Sequence, residues 1–194
     1  MSANKIIFTF CLFIVLSQLT ACVSAVAVGA AGTAAVTTSD RRTLGTQIDD
    51  KTTSARVSTA INKIADIEEL ADISVNVYNG QVLLTGQSST QSLIDSAAQA
   101  AESVQHVLKV HNQIRLGQPI ATTSTVNDIW LGTKIRALMS TNKRVPLLKL
   151  DLIVEDSEVF IMGRLTKAEA SAAVDLVRNV DGVTKVIRVM ELVN

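Results

Sequence analysis

The chain has 194 residues, with 18 Lys+Arg balanced by 18 Asp+Glu, and 47% of its residues are hydrophobic. That length suits one domain or two small ones, and that apolar fraction excludes a disordered chain. Zero net charge and only 3% aromatics exclude a general nucleic-acid binder, which needs a basic footprint or a base-stacking platform.

The first element is Lys5 followed by an apolar run from Ile6 to Leu16. As a helix this run rises about 16 Å, roughly half a hydrocarbon core, so residues 1–21 read as a secretory signal peptide rather than a membrane span. The competing reading is one membrane helix from Ile6 to Val36, since no charge separates Lys5 from Asp40. Against it, Gly29 to Ala35 is small and weakly apolar, more like a tether. Leu19-Thr20-Ala21-Cys22 resembles the lipobox of bacterial lipoproteins. The resemblance implies cleavage before Cys22 and lipidation of its thiol. Val23, standing where an Asp is associated with inner-membrane retention, implies anchoring at the periplasmic face of the outer membrane. Several acyl chains anchor firmly where a single one is marginal. With Cys11 in the leader and Cys22 acylated, no thiol remains for a disulfide. Residues 22–51 then read as a lipidated flexible tether, poor in large apolar groups.

Two copies of an α-β-β-α-β pattern follow, at residues 52–117 and 127–194, joined by a linker at 118–126. Ile73, Val75, Val77, Val82, Leu84 and Gly86 recur as Leu150, Leu152, Val154, Val159, Ile161 and Gly163 at a constant offset of 77. Each set alternates with period two about a two-residue turn, and Asn79-Gly80 is a strong type I′ hairpin signal. That register sets Val77 opposite Val82 and Val75 opposite Leu84, and likewise Val154 opposite Val159 and Leu152 opposite Ile161. Helical spacing marks Ala55 to Ile64 and Asp128 to Asn142 ahead of the hairpins. Leu93 to Val104 and Lys167 to Val180 follow them, the latter opened by a Thr166/Glu169 capping box. Strands at Val107 to Ile114 and Val183 to Val193 close the copies. Units this small are marginal alone and should pack on each other or on the linker.

The doubled pattern resembles the BON domain, a small αββαβ module. The expected fold is α+β: two tandem BON domains, each a three-stranded mixed sheet with two helices. Asp40, Arg42, Gly45-Thr46-Gln47, Asp49-Asp50 and Gly117-Gln118-Pro119-Ile120 extend the likeness. So do Val82-Leu83-Leu84, Gly86-Gln87-Ser88, Asn127-Asp128 and Trp130, and together these are similar to the dual-BON outer-membrane lipoproteins of Gram-negative bacteria. The resemblance implies anionic phospholipid binding, support of outer-membrane integrity and recruitment to division sites.

Catalysis has little support in the residues. His106 and His111, five residues apart on an expected strand, point to opposite faces and make no joint metal site. Glu155 and Glu158 flank a turn as a solvated pair, and no Walker, zinc-protease or nucleophile-elbow motif occurs. No cofactor or metal is expected.

Binding has more. On the helix from Asp128 to Asn142, Leu131, Ile135, Leu138 and Met139 gather as a core stripe. Trp130 falls off that stripe beside Lys134, Ala137 and Thr141, and Lys134, Arg136, Lys143 and Arg144 against Asp128 leave the segment at +3. An amphipathic indole among cations suits an anionic bilayer surface. Trp130, Lys134, Arg136, Ala137 and Thr141 are therefore the candidate site for a phosphatidylglycerol-like phospholipid. Burial of Trp130 between the repeats is the competing reading. Gly132 and Ser140 would make the face a modest lipid binder. The second repeat carries +1 and the first −2, so the first is better suited to a protein contact or a structural role. The rival function is an adaptor for envelope proteins, regulating cell-wall hydrolases or outer-membrane protein assembly.

Overall fold

Each two-residue turn closes a hairpin, and each hairpin grows into a three-stranded sheet in the computed structural model, which describes residues 40–118 and 122–194. The first repeat runs α1 (Leu44–Ile61), a single turn α2 (Ile67–Leu70), β1 (Ala71–Tyr78), β2 (Gln81–Ser88), α3 (Gln91–Glu102) and β3 (Lys109–Leu116). The second runs α4 (Thr122–Thr141), a 3-10 turn at Leu147–Lys149, β4 (Leu150–Glu155), β5 (Glu158–Thr166), α5 (Lys167–Val177) and β6 (Lys185–Val193). In each sheet the hairpin pairs antiparallel and the third strand adds in parallel, giving the orders β1-β2-β3 and β4-β5-β6.

The hairpin registers follow the alternation in the sequence. Val77 pairs with Val82, Val75 with Leu84, Val154 with Val159 and Leu152 with Ile161. Asn79 and Gly80 take φ of 51° and 71°, as a type I′ turn requires. The repeated glycine has a steric cause. A Cβ on Gly86, at φ +114°, would lie 1.9 Å from the Asp72 carbonyl oxygen across the ladder. On its counterpart Gly163 a Cβ would lie 2.8 Å from the Lys149 carbonyl oxygen. The Thr166/Glu169 capping box forms with both reciprocal hydrogen bonds and opens α5.

Alternation also assigns the two faces of each sheet. Val82 and Leu84 join Val57 and Ile61 of α1 and Ile94 and Ala97 of α3 in the first core. Val159 and Ile161 join Leu131, Ile135 and Met139 of α4 and Ala173 and Val177 of α5 in the second. The intervening residues face the other way. Tyr78 and Leu83 meet Phe160, Met162 and Val189 in a third cluster, so the sheets pack back to back with helices outside. The turn of each repeat reaches the last strand of the other. Asn79 Nδ2 donates to Glu191 at 2.8 Å, and Arg115 donates to Asp156 at 2.8 Å.

Several boundaries differ from the expectation. The first helix begins at Leu44, not Ala55, with Thr43 as its N-cap, so Asp40 to Lys51 belong to the fold rather than to a tether. Their polar composition hid the helix, because solvent receives most of that first stretch. The helix of the second repeat begins at Thr122 inside the expected linker, where β-branched Thr and Val mask helicity. His106 precedes β3 with φ 72° and is not a strand residue. The leader, the lipobox, Cys22 and the tether up to Ser39 lie outside the described residues, as do residues 119–121 of the linker. Among the described residues, no helix is long and apolar enough to cross a membrane.

Candidate functional site

Helix α4 is fixed in rotation from two sides. Leu131, Ile135 and Met139, each four residues apart, are 0%, 0% and 1% exposed against β4 and β5. Near its start, Asp128 accepts hydrogen bonds from the backbone N–H groups of Asp156 and Ser157 at 2.7 and 2.9 Å. The opposite side of the helix is thereby turned outward. Trp130 is 58% exposed there, with Ile129 at 65% and Val126 at 62%. The indole is therefore not buried between the repeats.

The Lys134 ammonium lies 5.1 Å from the centre of the Trp130 ring, within cation–π reach, and also donates to the Asp181 carbonyl at 3.2 Å. Ala137 and Thr141 continue the exposed face one and two turns on. Lys143 and Arg144 follow the helix, exposed and without an ion pair among the described residues. The structure thus brings Trp130, Lys134, Ala137 and Thr141 together.

It sets Arg136 apart from them. At 100° per residue Arg136 lies about 120° around the helix from Trp130. Its guanidinium turns toward β4 and donates to the Leu152 carbonyl at 2.6 Å. Gly132 makes room for it: a Cβ there would stand 3.0 Å from the Arg136 Nη1 and 3.4 Å from Val154. Gly132 is buried and belongs to this inner side, not to the outer face where sequence periodicity left it. Leu138, expected in the core stripe, is 43% exposed, because Leu131, Ile135 and Met139 alone form the buried row. Val126 and Ile129 were missing from the expected set. Their i, i+3, i+4 spacing with Trp130 is the signal, obscured by a linker drawn through Val126.

A second constellation holds the point where the chain enters the fold. The Arg42 guanidinium stacks 3.6 Å from the Tyr78 ring centre and pairs with Asp40 at 2.9 Å and Asp50 at 3.0 Å. Burial, which alone would raise the Asp40 carboxyl, is outweighed by Arg42, and its pKa falls below the usual range. Burial pushes the Tyr78 hydroxyl up to about 12, and that hydroxyl donates to the Lys149 carbonyl of the second repeat at 3.1 Å. Arg41 reaches across as well, to Glu169 at 2.7 Å and to the Arg164 carbonyl at 2.7 Å. Adjacent arginines therefore tie the entering chain to both repeats.

The histidine and the turn carboxylates expected to carry no chemistry have these places. His111 shares a hydrogen bond of 2.9 Å with Gln81, and burial lowers its pKa. Glu155 and Glu158 are not a solvated pair. Glu158 lies 3.7 Å from the Lys185 ammonium, while burial raises Glu155, aided by the charges of Asp128 and Asp72. No group of three or more His, Cys, Asp or Glu among the described residues is arranged to hold a metal ion.

Comparison with known proteins matches the BON domain family at residues 49–118 and 127–194. The chain is 40% identical over 154 residues to the 21 kDa hemolysin of Actinobacillus pleuropneumoniae, covering 79% of each chain. It is 36% identical over 170 residues to the outer membrane lipoprotein DolP of Haemophilus influenzae, covering 88% of each. The C-terminal domain of CdsD, a structural protein of the type III secretion system of Chlamydia trachomatis, aligns at 8% identity and a TM-score of 0.31. That alignment covers 72% of this chain and 96% of CdsD, and a score so low supports no inference.

Proposed function

The chain belongs to the BON domain family, and from that premise we propose that it is an outer-membrane lipoprotein whose second repeat docks on anionic phospholipid. The observation that carries this reading is the exposed Trp130, flanked by exposed Val126 and Ile129 and capped by the Lys134 ammonium. Leaving three large apolar side chains in water on one helix face is costly, at about 25 cal/mol per Å² of apolar surface. A bilayer interface removes that cost while the lysine meets the headgroup phosphates. Trp130, Lys134, Ala137 and Thr141 would make the contact. Arg136, engaged with β4, would add long-range attraction only. Lipidation of Cys22 would hold the chain at the membrane and confine the search to two dimensions. In this reading the docked lipoprotein supports outer-membrane integrity and gathers at division sites.

The lipid anchor would itself pellet with any vesicle, so the test uses the non-lipidated chain from Val23 onward. Co-sedimentation with phosphatidylglycerol vesicles and loss of pelleting in Lys134→Glu are expected. Equal pelleting with purely neutral vesicles would overturn the electrostatic part of the reading. For the anchor, Cys22→Ala should abolish incorporation of a fatty-acid analogue. Labelling at the wild-type level would remove the lipobox from consideration.

A further inference from the structure

Strand β4 pairs with β5 only, and β1 with β2 only, so each sheet has an open edge on this side. Two hollows of about 430 and 300 Å³ run along β4 and share Arg136, Leu152 and Ile153. Between them they line the strand throughout Leu150–Glu155. Their far wall comes from the first repeat, through Lys51 of α1 and Asn76 and Asp72 of β1. The groove is therefore a trough between two repeats, floored by an unpaired strand edge.

Its charges are unbalanced. Asp151 and Glu155 lie on one face of β4 with Ile153 between them, and Asp72 stands opposite on β1. None of the three carboxylates makes an ion pair or side-chain hydrogen bond among the described residues, unlike Asp128 and Asp156 beside them. Asp151 reaches solvent, yet desolvation in the trough raises its pKa, as it does that of Glu155. Arg42 and Lys51 attract Asp151 and Arg115 attracts Glu155, but Lys51 and Arg136 against Asp72, Asp128, Asp151 and Glu155 still leave the lining at −2. Arg136 supplies the one capped position on this edge, through its bond to the Leu152 carbonyl. In the first repeat the equivalent carbonyl, that of Val75, is capped by the Ser54 hydroxyl at 3.2 Å. A charged side chain laid over an edge strand blunts it against unwanted strand addition.

We infer that this trough is a docking site for an extended, basic segment of a partner protein, which adds along the open edge of β4. Complementarity dictates the segment. Residues two apart on an extended chain share a face, and Asp151 and Glu155 are about 13 Å apart at 3.3 Å per residue. The fitting pattern is a cation, an apolar residue and a cation at alternate positions, the apolar one over Ile153. Main-chain pairing would supply affinity and the alternate side chains specificity, as in other strand-addition complexes. Arg136 is then a gate on the edge, which the incoming strand displaces from the Leu152 carbonyl.

The test uses the full chain in neutral detergent and the fluorescent peptide Thr-Lys-Thr-Val-Thr-Lys-Thr. A peptide of the same composition, Thr-Thr-Lys-Lys-Val-Thr-Thr, sends its lysines to opposite faces. The first peptide should bind, and the second at least about tenfold more weakly, the loss expected for one charge-assisted contact. Asp151→Asn with Glu155→Gln should weaken the first peptide about as much, while Asp95→Asn with Glu102→Gln on α3 should leave it unchanged. Arg136→Ala should tighten it. Amide exchange in β4 should slow on peptide addition, with β3 unaffected, a readout that needs no variant to fold. Equal binding of both peptides, or slowed exchange outside β4 alone, overturns the proposal.

Discussion

Asp50 and Asp128 do the same work in the two repeats: each carboxylate, borne on a helix, closes the hairpin turn of its own sheet. Asp50 accepts the Asn79 and Gly80 N–H groups at 2.8 and 2.9 Å, and Asp128 those of Asp156 and Ser157 at 2.7 and 2.9 Å. The arrangement docks the helix on the sheet through a charge-assisted hydrogen-bond pair. It matters more in the second repeat, where neither turn residue is glycine. Asp156 and Ser157 hold φ of 48° and 63°, a region that costs an L-residue about 1–2 kcal/mol.

Two substitutions with opposite signs follow from that turn. Asp128→Ala should destabilise the protein by about 2–3 kcal/mol, since two backbone donors lose a charged acceptor. Ser157→Gly should stabilise it by about 1 kcal/mol, because glycine adopts positive φ freely. Denaturant midpoints check both. A neutral Asp128→Ala would mean that the turn does not depend on the helix.

The repeated glycines should differ in cost. Gly86→Ala places a methyl 1.9 Å from the Asp72 carbonyl oxygen at a φ of +114°, so the hairpin must shift or open. Gly163→Ala meets the Lys149 carbonyl oxygen at 2.8 Å without positive φ. Thermal melts should rank Gly86→Ala well below Gly163→Ala, by several kcal/mol in the first case. Equal melting would contradict the close approach of β1 to β2.

What the sequence disclosed was periodic and local. Hairpin register is legible because alternation and a two-residue turn determine it together, as Val77 with Val82 shows. The contacts of Asp40, Arg41 and Arg42 were not legible. Those of Asp40 and Arg42 join residues such as Asp50 and Tyr78, that of Arg41 spans more than a hundred residues to Glu169, and none follows a period. The edge of the docking face was half legible: periodicity placed Trp130 off the core, but only the register of α4 on β4 brings the exposed Arg136 guanidinium onto the Leu152 carbonyl and leaves Ile129 exposed.

Glu169 makes the pH dependence of the seam testable. Its hydrogen bond with Arg41, together with those from Thr166, outweighs burial and holds its pKa at about 2 against an ordinary 4.5. A carboxyl depressed on folding contributes stability that is complete above pH 4.5 and is lost as pH falls through about 2. Arg41 is a quarter exposed, so solvent screening reduces the contribution to about 1 kcal/mol. Arg41→Ala should lower stability at pH 7 by that amount and flatten the decline between pH 5 and pH 2, the range set by those pKa values. Denaturation curves for both proteins across that range settle the matter, and parallel curves would discard the seam ion pair.

Trp130→Ala separates docking from folding. The indole is 58% exposed, with the Lys134 ammonium 5.1 Å from its ring centre, so truncation removes less than half of the buried area that a core tryptophan would lose. Surface substitutions of this kind change stability by about 0.5 kcal/mol or less, against about 3–5 kcal/mol for a core aromatic. Melting should therefore match wild type. Binding to phosphatidylglycerol vesicles should fall sharply, because the largest apolar group on the face is gone. Adding Ile129→Ser should deepen the loss without a further change in melting, since Ile129 is 65% exposed. Salt should weaken the wild-type interaction with a Debye length of about 10 Å at 0.1 M. It should weaken Lys134→Glu much less, as the attraction being screened has already been removed. Arg136→Ala should behave in the opposite way, losing stability through the freed Leu152 carbonyl while keeping most of the vesicle binding. If Trp130→Ala pellets with vesicles as well as wild type does, the outer face of α4 is not where the lipid binds.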